Sequence, residues 1–346
     1  MAMSPVETAI RDRLSREILI IDGAMGTMIQ RHRLSEADYR GTRFAQHPVD
    51  LKGNNDLLTL TKPEIIEGIH SAFVAAGADI IETNTFNAQR ISMDDYGLTD
   101  CIEEVNVAAV KCAQAAVERY YHEHGSEQKK YIAGAVGPTS KTASLSPKVE
   151  DPSYRAVTFD DLVHAYEEQI TAMLQTGVDT ILIETIFDTL NAKAAFFAAQ
   201  QCMSRLGKTA ITHQNPDGDI ALMASGTITD AAGRTLSGQT ASAFAISLSH
   251  IPLFSIGLNC ALGADQLITY VKELESISNC FISAYPNAGL PNALGQYDQG
   301  AHEMAEKVKP YLTGKHVQIL GGCCGTTPDH IAAIAQLAHQ LQSIKA

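Results

Sequence analysis

The sequence lacks the features that mark several classes of protein. No run of about 18 apolar residues occurs, so no membrane-spanning helix is predicted. The first 20 residues have no apolar core of the kind a secretory signal peptide needs. Basic residues are also scarce, because 26 Lys and Arg stand against 39 Asp and Glu, a net charge of -13. Since nucleic-acid surfaces are usually basic, this balance argues against a nucleic-acid partner.

Cysteine is present but follows no disulfide pattern. Seven cysteines, an odd number, are spread over 346 residues. Small secreted domains held by disulfides carry denser sets, so this spacing predicts a reducing, cytoplasmic environment. Linkers and low-complexity segments are missing too, and residues 1–346 are therefore interpreted as one domain.

Eight short apolar runs recur along the chain and are continuous rather than alternating. They span residues 18–25, 79–86, 131–139, 180–186, 220–228, 253–261, 280–289 and 317–324. Continuous apolar runs are typical of parallel strands buried on both faces. Helical patterns lie between most of them, as at 61–77, where Thr61 is expected to cap the helix and Pro63 to lie in its first turn. Strands alternating with helices predict an α/β protein, a single (β/α)8 barrel, with a doubly wound open sheet as the alternative.

The predicted loops are longest after the strands. Three of these connections, at 28–60, 140–158 and 291–300, are long, whereas most links from helix to strand are short. In a barrel, such loops gather at the carboxyl-terminal end, where active sites lie. The segment 207–219 is the exception, since it is expected at the opposite end, and no function is assigned to it.

Two acidic residues occupy similar places in two of the runs. Glu82 lies five residues after Gly77, and Glu184 lies seven residues after Gly177. The difference of two preserves the alternation of a strand, so both carboxylates are expected to face the same side.

Three cysteines end predicted strands that are near neighbours. Cys260 ends the sixth run, and Cys323 and Cys324 end the eighth, so one strand separates them on the barrel rim. Converging thiolates favour zinc, which in catalytic sites takes three protein ligands and keeps one position open. The glycines of "GGCCG" would let the backbone turn so that adjacent sulfurs face one ion. Buried cysteines that act as apolar fillers are the alternative. That alternative is preferred for the remaining four: Cys101, Cys112, Cys202 and Cys280.

Eight motifs resemble, in order along the chain, those of the homocysteine-binding module of cobalamin-dependent methionine synthase. They are "DGAMGT" (22–27), "KGNNDLL" (52–58), "ETNTF" (82–86), "GPT" (137–139), "SGTITDAAGRTLSGQ" (225–239), "GLNCALG" (257–263), "YPNAGLPN" (285–292) and "GGCCGTTPDHI" (321–331). "GGCCG" with an upstream "NC" is also similar to the wider family of zinc-dependent homocysteine methyltransferases, whose members include enzymes that use betaine or S-methylmethionine. One departure is "GAD" after "NCAL", where the family pattern has "GPD"; it leaves the three cysteines unchanged.

The resemblance implies a barrel enzyme that methylates homocysteine. It implies that Cys260, Cys323 and Cys324 bind Zn²⁺, and that methylcobalamin is the methyl donor, bound by another module or subunit. Cobalamin-binding and folate-binding modules are therefore expected partners, in cis or in trans. One alternative keeps this site but uses betaine or S-methylmethionine as donor. Another, from a different class, is a non-catalytic zinc or redox barrel.

Six residues are predicted to surround the amino-acid end of homocysteine: Asp22, Gly23, Glu184, Asn259, Asn287 and Ala288. The two carboxylates are expected to take the ammonium group. The amide side chain beside Cys260 and the backbone amides of "PNAG" are expected to hold the carboxylate or orient the sulfur. "DGAMGT" lacks the glycine spacing and the lysine of a phosphate-binding loop. The basic stretch "RHR" at 31–33 is interpreted as a solvated face.

Overall fold

Eight parallel strands form one sheet that closes on itself. The structure is a computed structural model that describes residues 5–125, 128–212, 214–230 and 232–343. The strands are β1 (Leu19–Ile20), β2 (Ile80–Glu82), β3 (Tyr131–Val136), β4 (Thr180–Ile186), β5 (Ala221–Gly226), β6 (Ser255–Gly263), β7 (Phe281–Asn287) and β8 (Ile319–Leu320). From β2 to β8 each strand pairs with its neighbours in the sequence, and β1 pairs with β8. A parallel bridge between Ile21 and Ile80 joins the chain after β1 to β2.

Helices lie between the strands and surround them. They are α1 (Pro5–Arg16), α2 (Met25–Arg31), α3 (Glu36–Arg40), α4 (Leu58–Thr61), α5 (Pro63–Ala75), α6 (Arg90–Asp94), α7 (Ile102–His124), α8 (Phe159–Thr176), α9 (Thr189–Arg205), α10 (Ala241–Leu248), α11 (Ala264–Ile277), α12 (Ala301–Thr313) and α13 (Pro328–Ser343). The predicted (β/α)8 barrel is confirmed. Within the described ranges, no helix combines the length and the apolar character needed to cross a membrane.

Local sequence sets where the helices begin and end. The side chains of Thr158 and Asp161 form a capping box at the start of α8, and Gly177 ends it in a left-handed conformation with φ 102°. The prediction that Thr61 caps α5 is wrong. The chain is already helical through Thr61, the last residue of α4, and it leaves helical geometry only at Lys62, so Lys62 takes the cap position before Pro63.

The amino-terminal end of the barrel is filled and covered. Apolar side chains of the strands pack together inside it, and Ile10 and Leu14 of α1 join this inner cluster. An ion pair of 2.8 Å between Arg13 and Asp79 ties α1 to the start of β2. Ile211, from the segment before β5, belongs to the same cluster, while His213 lies outside the described residues. The carboxyl-terminal end is therefore the open one, as barrel enzymes require.

Candidate metal centre and substrate pocket

Three cysteine sulfurs meet at the carboxyl-terminal end of the barrel. Cys260 lies near the end of β6, and Cys323 and Cys324 lie just after β8. Their Sγ atoms are all within 4.8 Å of one another, and those of Cys260 and Cys324 are 3.7 Å apart. Only β7 separates the two strands. The structure therefore brings together the three cysteines that the sequence singled out.

The backbone leaves regular strand geometry to place these sulfurs. Cys260 and Ala261 have φ values of 61° and 54°, where the pairing of β6 with β7 shifts its register. A left-handed conformation costs a residue with a Cβ about 1–3 kcal/mol. On the other side, Gly325 takes φ 82°, and a Cβ there would lie 2.3 Å from the Cβ of Tyr297. A strained bulge and a glycine turn thus carry the cysteines into one place.

The three thiols hold their protons unequally. Hydrogen bonds from Cys260 and Cys323 lower the pKa of Cys324 to about 3, and the phenol of Tyr297 contributes a further one. Cys323 donates to the other two sulfurs, and this donation together with burial raises its pKa well above the usual range. Hydrogen bonding thus favours the thiolate form of Cys324, the form of cysteine that binds metals.

This donor set fits a zinc ion. Thiolates bind zinc at about 2.3 Å, so a tetrahedral site puts its sulfurs about 3.8 Å apart. The 3.7 Å between Cys260 and Cys324 is close to that spacing. Three protein ligands leave one position of the tetrahedron for a substrate. Across the part of the chain that the structure describes, this is the one cluster of three or more His, Cys, Asp or Glu side chains close enough to hold a metal.

Three carboxylates line the same cavity as the sulfurs. Asp22 follows β1, Glu82 ends β2 and Glu184 lies in β4, so the two glutamates face the same side as expected. The backbone N–H of Glu82 donates to Asp22 Oδ2 at 3.2 Å, whereas Asp22 Oδ1 is buried without a partner. None of the three forms an ion pair with a described Lys or Arg. These carboxyls are therefore available to a cationic group that enters the cavity.

Burial and mutual repulsion make these acids hard to ionise. Burial raises the pKa of Glu184 to about 8, and the neighbouring Cys260 adds to the effect. The pKa values of Asp22 and Glu82 also lie well above the usual range, because both carboxyls are buried and Glu184 is close to each. An ammonium group among them would favour the ionised forms. This part of the cavity therefore suits an amine.

Asn259 lies behind the pocket and holds its neighbours in place. The side chain is fully buried and is absent from the cavity wall. Its Oδ1 accepts from Thr185 N at 3.1 Å and from Ser225 Oγ at 2.7 Å, and its Nδ2 donates to Thr185 Oγ1 at 2.9 Å. Thr185 has φ 54°, where the pairing of β4 with β5 shifts its register. Asn259 thus stabilises the bulge next to Glu184, and it reaches the substrate only through these neighbours.

Of Gly23, Asn287 and Ala288, which were predicted to surround the substrate, only Gly23 lines the cavity. Gly23 lines the cavity, and a Cβ there would lie 2.7 Å from the ring of Phe73. Asn287 and Ala288 do not line it. The backbone N–H of Ala288 donates to the carbonyl of Cys324 at 2.9 Å, so it is already used. Ala288 therefore braces the cysteine turn, and the carboxylate contact expected of the two residues stays a prediction.

The cavity has a volume of about 860 Å³, within the usual range for small-molecule sites. Its wall includes Asp56 and Tyr297, which sequence reasoning missed, and Glu82, which it had placed on this side without a role. Asp56 is 3% exposed, its Oδ2 accepts from Asn87 N at 2.8 Å, and burial raises its pKa to about 7. The motif "KGNNDLL" was the available signal for Asp56. Nothing in the loop before α12 marked Tyr297.

Comparison with known proteins identifies a family and a shared fold. A model of the homocysteine S-methyltransferase family matches residues 19–338. The homocysteine methyltransferase MmuM from Escherichia coli is a similar solved structure. Its metallated form is 20% identical, with 94% of this chain and 99% of that chain covered and a TM-score of 0.71. Its oxidized form is 19% identical, with 96% and 99% covered and a TM-score of 0.72.

Sequence identity of 19–20% to MmuM shows that the two proteins share a fold. The family match says more, because it runs from the first strand into the last helix and covers most of the sequence. The chain therefore belongs to the homocysteine S-methyltransferase family and is a methyltransferase.

Proposed function

We propose that this chain transfers a methyl group from methylcobalamin to the sulfur of homocysteine, with Zn²⁺ held by Cys260, Cys323 and Cys324. One observation carries the proposal: three thiols and the carboxylates of Asp22, Glu82 and Glu184 line a single cavity. The three sulfurs favour zinc, and zinc binds the thiol end of homocysteine. The carboxylates would pair with its ammonium end.

The residues of the chain divide the work. A zinc ion in the cysteine set would lower the pKa of the homocysteine thiol from its free value near ~8.5, while the thiolate ligands keep the substrate sulfur nucleophilic. Asp22 and Glu184 hold the ammonium group, and Asn259 keeps Glu184 in position. The sulfur attacks the methyl carbon, the new S–C bond forms, and the electron pair of the broken bond leaves with the donor. Methionine, a thioether, is released.

The donor assignment rests on the motifs "KGNNDLL", "SGTITD" and "NCALG". Cobalamin-binding and folate-binding modules, in cis or in trans, are the proposed partners, because residues 1–346 are taken as one barrel domain with one open end. Betaine or S-methylmethionine is the second candidate donor. This second candidate is supported by the similarity to the homocysteine methyltransferase MmuM, because the matched barrel covers 99% of the MmuM chain.

The test compares donors on the zinc-loaded chain. Methylcobalamin should give slow methionine formation, rising in proportion to its concentration, because a free donor lacks the effective concentration that tethering gives, often about millimolar. Methyltetrahydrofolate alone should give none. Rapid turnover with betaine or S-methylmethionine, and none with methylcobalamin, would overturn the donor assignment and leave the metal chemistry.

The metal needs its own measurement. Zinc content should be about one per chain, and X-ray absorption should show one more sulfur around zinc after homocysteine is added. The Cys202→Ser variant is the control, since Cys202 lies in α9 and bonds Thr171. A zinc shell that homocysteine does not change would favour a non-catalytic site.

A further inference from the structure

The cavity offers more wall than homocysteine needs. The sulfurs and the carboxylates Asp22, Glu82 and Glu184 account for the two ends of a small amino acid. The wall also includes the end of α2 and the segment that follows it, with Arg31 and Arg33. These two are the only basic side chains of the described residues in that wall. The sequence had suggested a solvated face for them.

Arg31 and Arg33 differ from the other arginines of the described chain. Both are exposed, and neither guanidinium makes a hydrogen bond, an ion pair or a ring contact. Every other described arginine makes at least one such contact. Asp56 and Asp298 line the same cavity, yet neither pairs with these cations. Two free guanidinium groups therefore flank an otherwise acidic cavity.

The backbone conformation of Arg33 is unusual for an arginine. Helix α2 ends at Arg31, and Arg33 follows with φ 51°, a left-handed conformation that favours glycine after a helix. Glycine takes this conformation after α8, at Gly177, whereas Lys315 after α12 is a second non-glycine residue in it. An arginine here adopts a strained backbone that glycine would relieve. Strain of this kind is retained most often at functional sites.

We propose that Arg31 and Arg33 form an anion subsite that binds an oxyanion of the methyl donor. The proposal rests on the methyl-transfer function above. The homocysteine carboxylate is an unsuitable occupant, because it shares a carbon with the ammonium group that Asp22 and Glu184 hold in the buried part of the cavity. Arg31 and Arg33 are exposed in the same wall, so the proposal assigns them to the methyl donor. Arginine binds phosphate and carboxylate through paired N–H donors, so either oxyanion fits.

The donors come in pairs that test this chemistry. Methylcobalamin carries a phosphodiester in its nucleotide tail, and methylcobinamide lacks that tail. S-Methylmethionine carries a carboxylate, and its decarboxylated form lacks it. Each member is tested for retention by the zinc-loaded chain without homocysteine, in the dark for the corrinoids, and then for methionine formation with homocysteine.

The variants are Arg33→Gly, which relieves backbone strain while removing the cation, and Arg31→Gln. Lys315→Gly is the matched control. Lys315 is also an exposed basic residue with φ 58° after a helix, but it lies before β8 and outside the cavity wall. Each cavity variant should bind the anionic member of one pair about fivefold more weakly, as for an exposed ion pair. Added salt should shrink the difference. The neutral-tail member and homocysteine should bind as before.

The outcomes separate the subsite from the proposed function. A preference within the corrinoid pair identifies a phosphodiester, and one within the sulfonium pair identifies a carboxylate. The subsite is refuted if wild type retains both members of each pair equally, or if Lys315→Gly loses as much as Arg33→Gly. An arginine-dependent preference in binding, together with no methionine from any donor, would support the subsite and refute the methyl-transfer proposal.

Discussion

Replacing Glu184 by Gln removes a carboxyl that an ammonium group would ionise, while keeping the shape of the side chain. Glu184 is 5% exposed, so water screens its interactions weakly. A hydrogen bond to a charged group contributes about 1.5–3 kcal/mol. Asp22 and Glu82 remain, and both should ionise more readily once Glu184 no longer repels them. We therefore expect a loss of about 2 kcal/mol, or roughly 30-fold in the Kd for homocysteine.

The measurement is a calorimetric titration of the zinc-loaded protein. Homocysteine is compared with 4-mercaptobutanoate, which has the thiol and the carboxylate but no amine. The variant should bind this analogue as wild type does, and its zinc content should not change. Glu168→Gln is the control, because Glu168 forms an exposed ion pair with Arg90 outside the cavity wall. It should leave both affinities unchanged.

Two results would refute this reasoning. If wild type bound homocysteine and its des-amino analogue equally well, no carboxylate would be reading the ammonium group, and the roles of Asp22 and Glu184 would both be lost. If Glu184→Gln weakened both ligands equally, the side chain would be shaping the pocket rather than pairing with the amine.

Three further variants test other parts of the site. Cys260→Ser should lose zinc at ordinary metal concentrations, because a hydroxyl stays protonated where a thiol would ligate. Metal analysis of this variant, with Cys202→Ser as the control, tests the expectation. Full zinc occupancy in Cys260→Ser would remove Cys260 from the proposed ligand set. Asp56→Asn should match wild type in unfolding free energy near pH 4 and exceed it by up to about 4 kcal/mol at pH 8. The pKa of Asp56 is about 7 in the folded protein and 3.8 for a free carboxyl, so the stability that the protonated group contributes is lost as pH rises through 7. Urea unfolding at both pH values measures this difference, and a pH-independent difference would contradict it. Gly325→Ala should destabilise the fold by more than about 1 kcal/mol, because φ 82° disfavours a residue with a Cβ and the side chain of Tyr297 occupies the position that this Cβ would take. An unchanged melting temperature would show that the turn can relax.

The barrel and its cysteines could be predicted because their signals are local. A continuous apolar run such as 180–186 specifies a buried parallel strand without reference to its partners, and its residues form β4. The order of strands in a barrel then places the ends of β6 and β8 one strand apart, which brings Cys260 near Cys324. The (β/α)8 rule supplied the topology, and "NC" and "GGCCG" supplied the three cysteines that meet at its carboxyl-terminal end.

The two bulges could not be predicted in this way. Nothing in "IETIF" or "NCALG" requires a positive φ, because Thr, Cys and Ala all disfavour it. Tertiary hydrogen bonds override that preference at Thr185, where both the backbone N–H and the hydroxyl bond to Asn259. The same cause explains why Asn259 lies behind the pocket, since a side chain that holds a strained turn is buried against it. The backbone N–H of Ala288, which was expected to contact the substrate, instead donates to the carbonyl of Cys324 in the cysteine turn.

One amide group links the two ends of the pocket. Asn259 Nδ2 lies 3.5 Å from Glu184 Oε2 and 3.8 Å from Cys323 Sγ, so a carboxylate and a sulfur of the site lie on either side of it. The bulge at Thr185 and the bulge at Cys260 are therefore fixed relative to each other by a single buried side chain. A substrate that carries a thiol and an ammonium group on one short carbon chain has both ends within reach of this pair. Under the proposed function, this fixed separation of Glu184 and Cys323 would match the pocket to the length of homocysteine as well as to its chemistry.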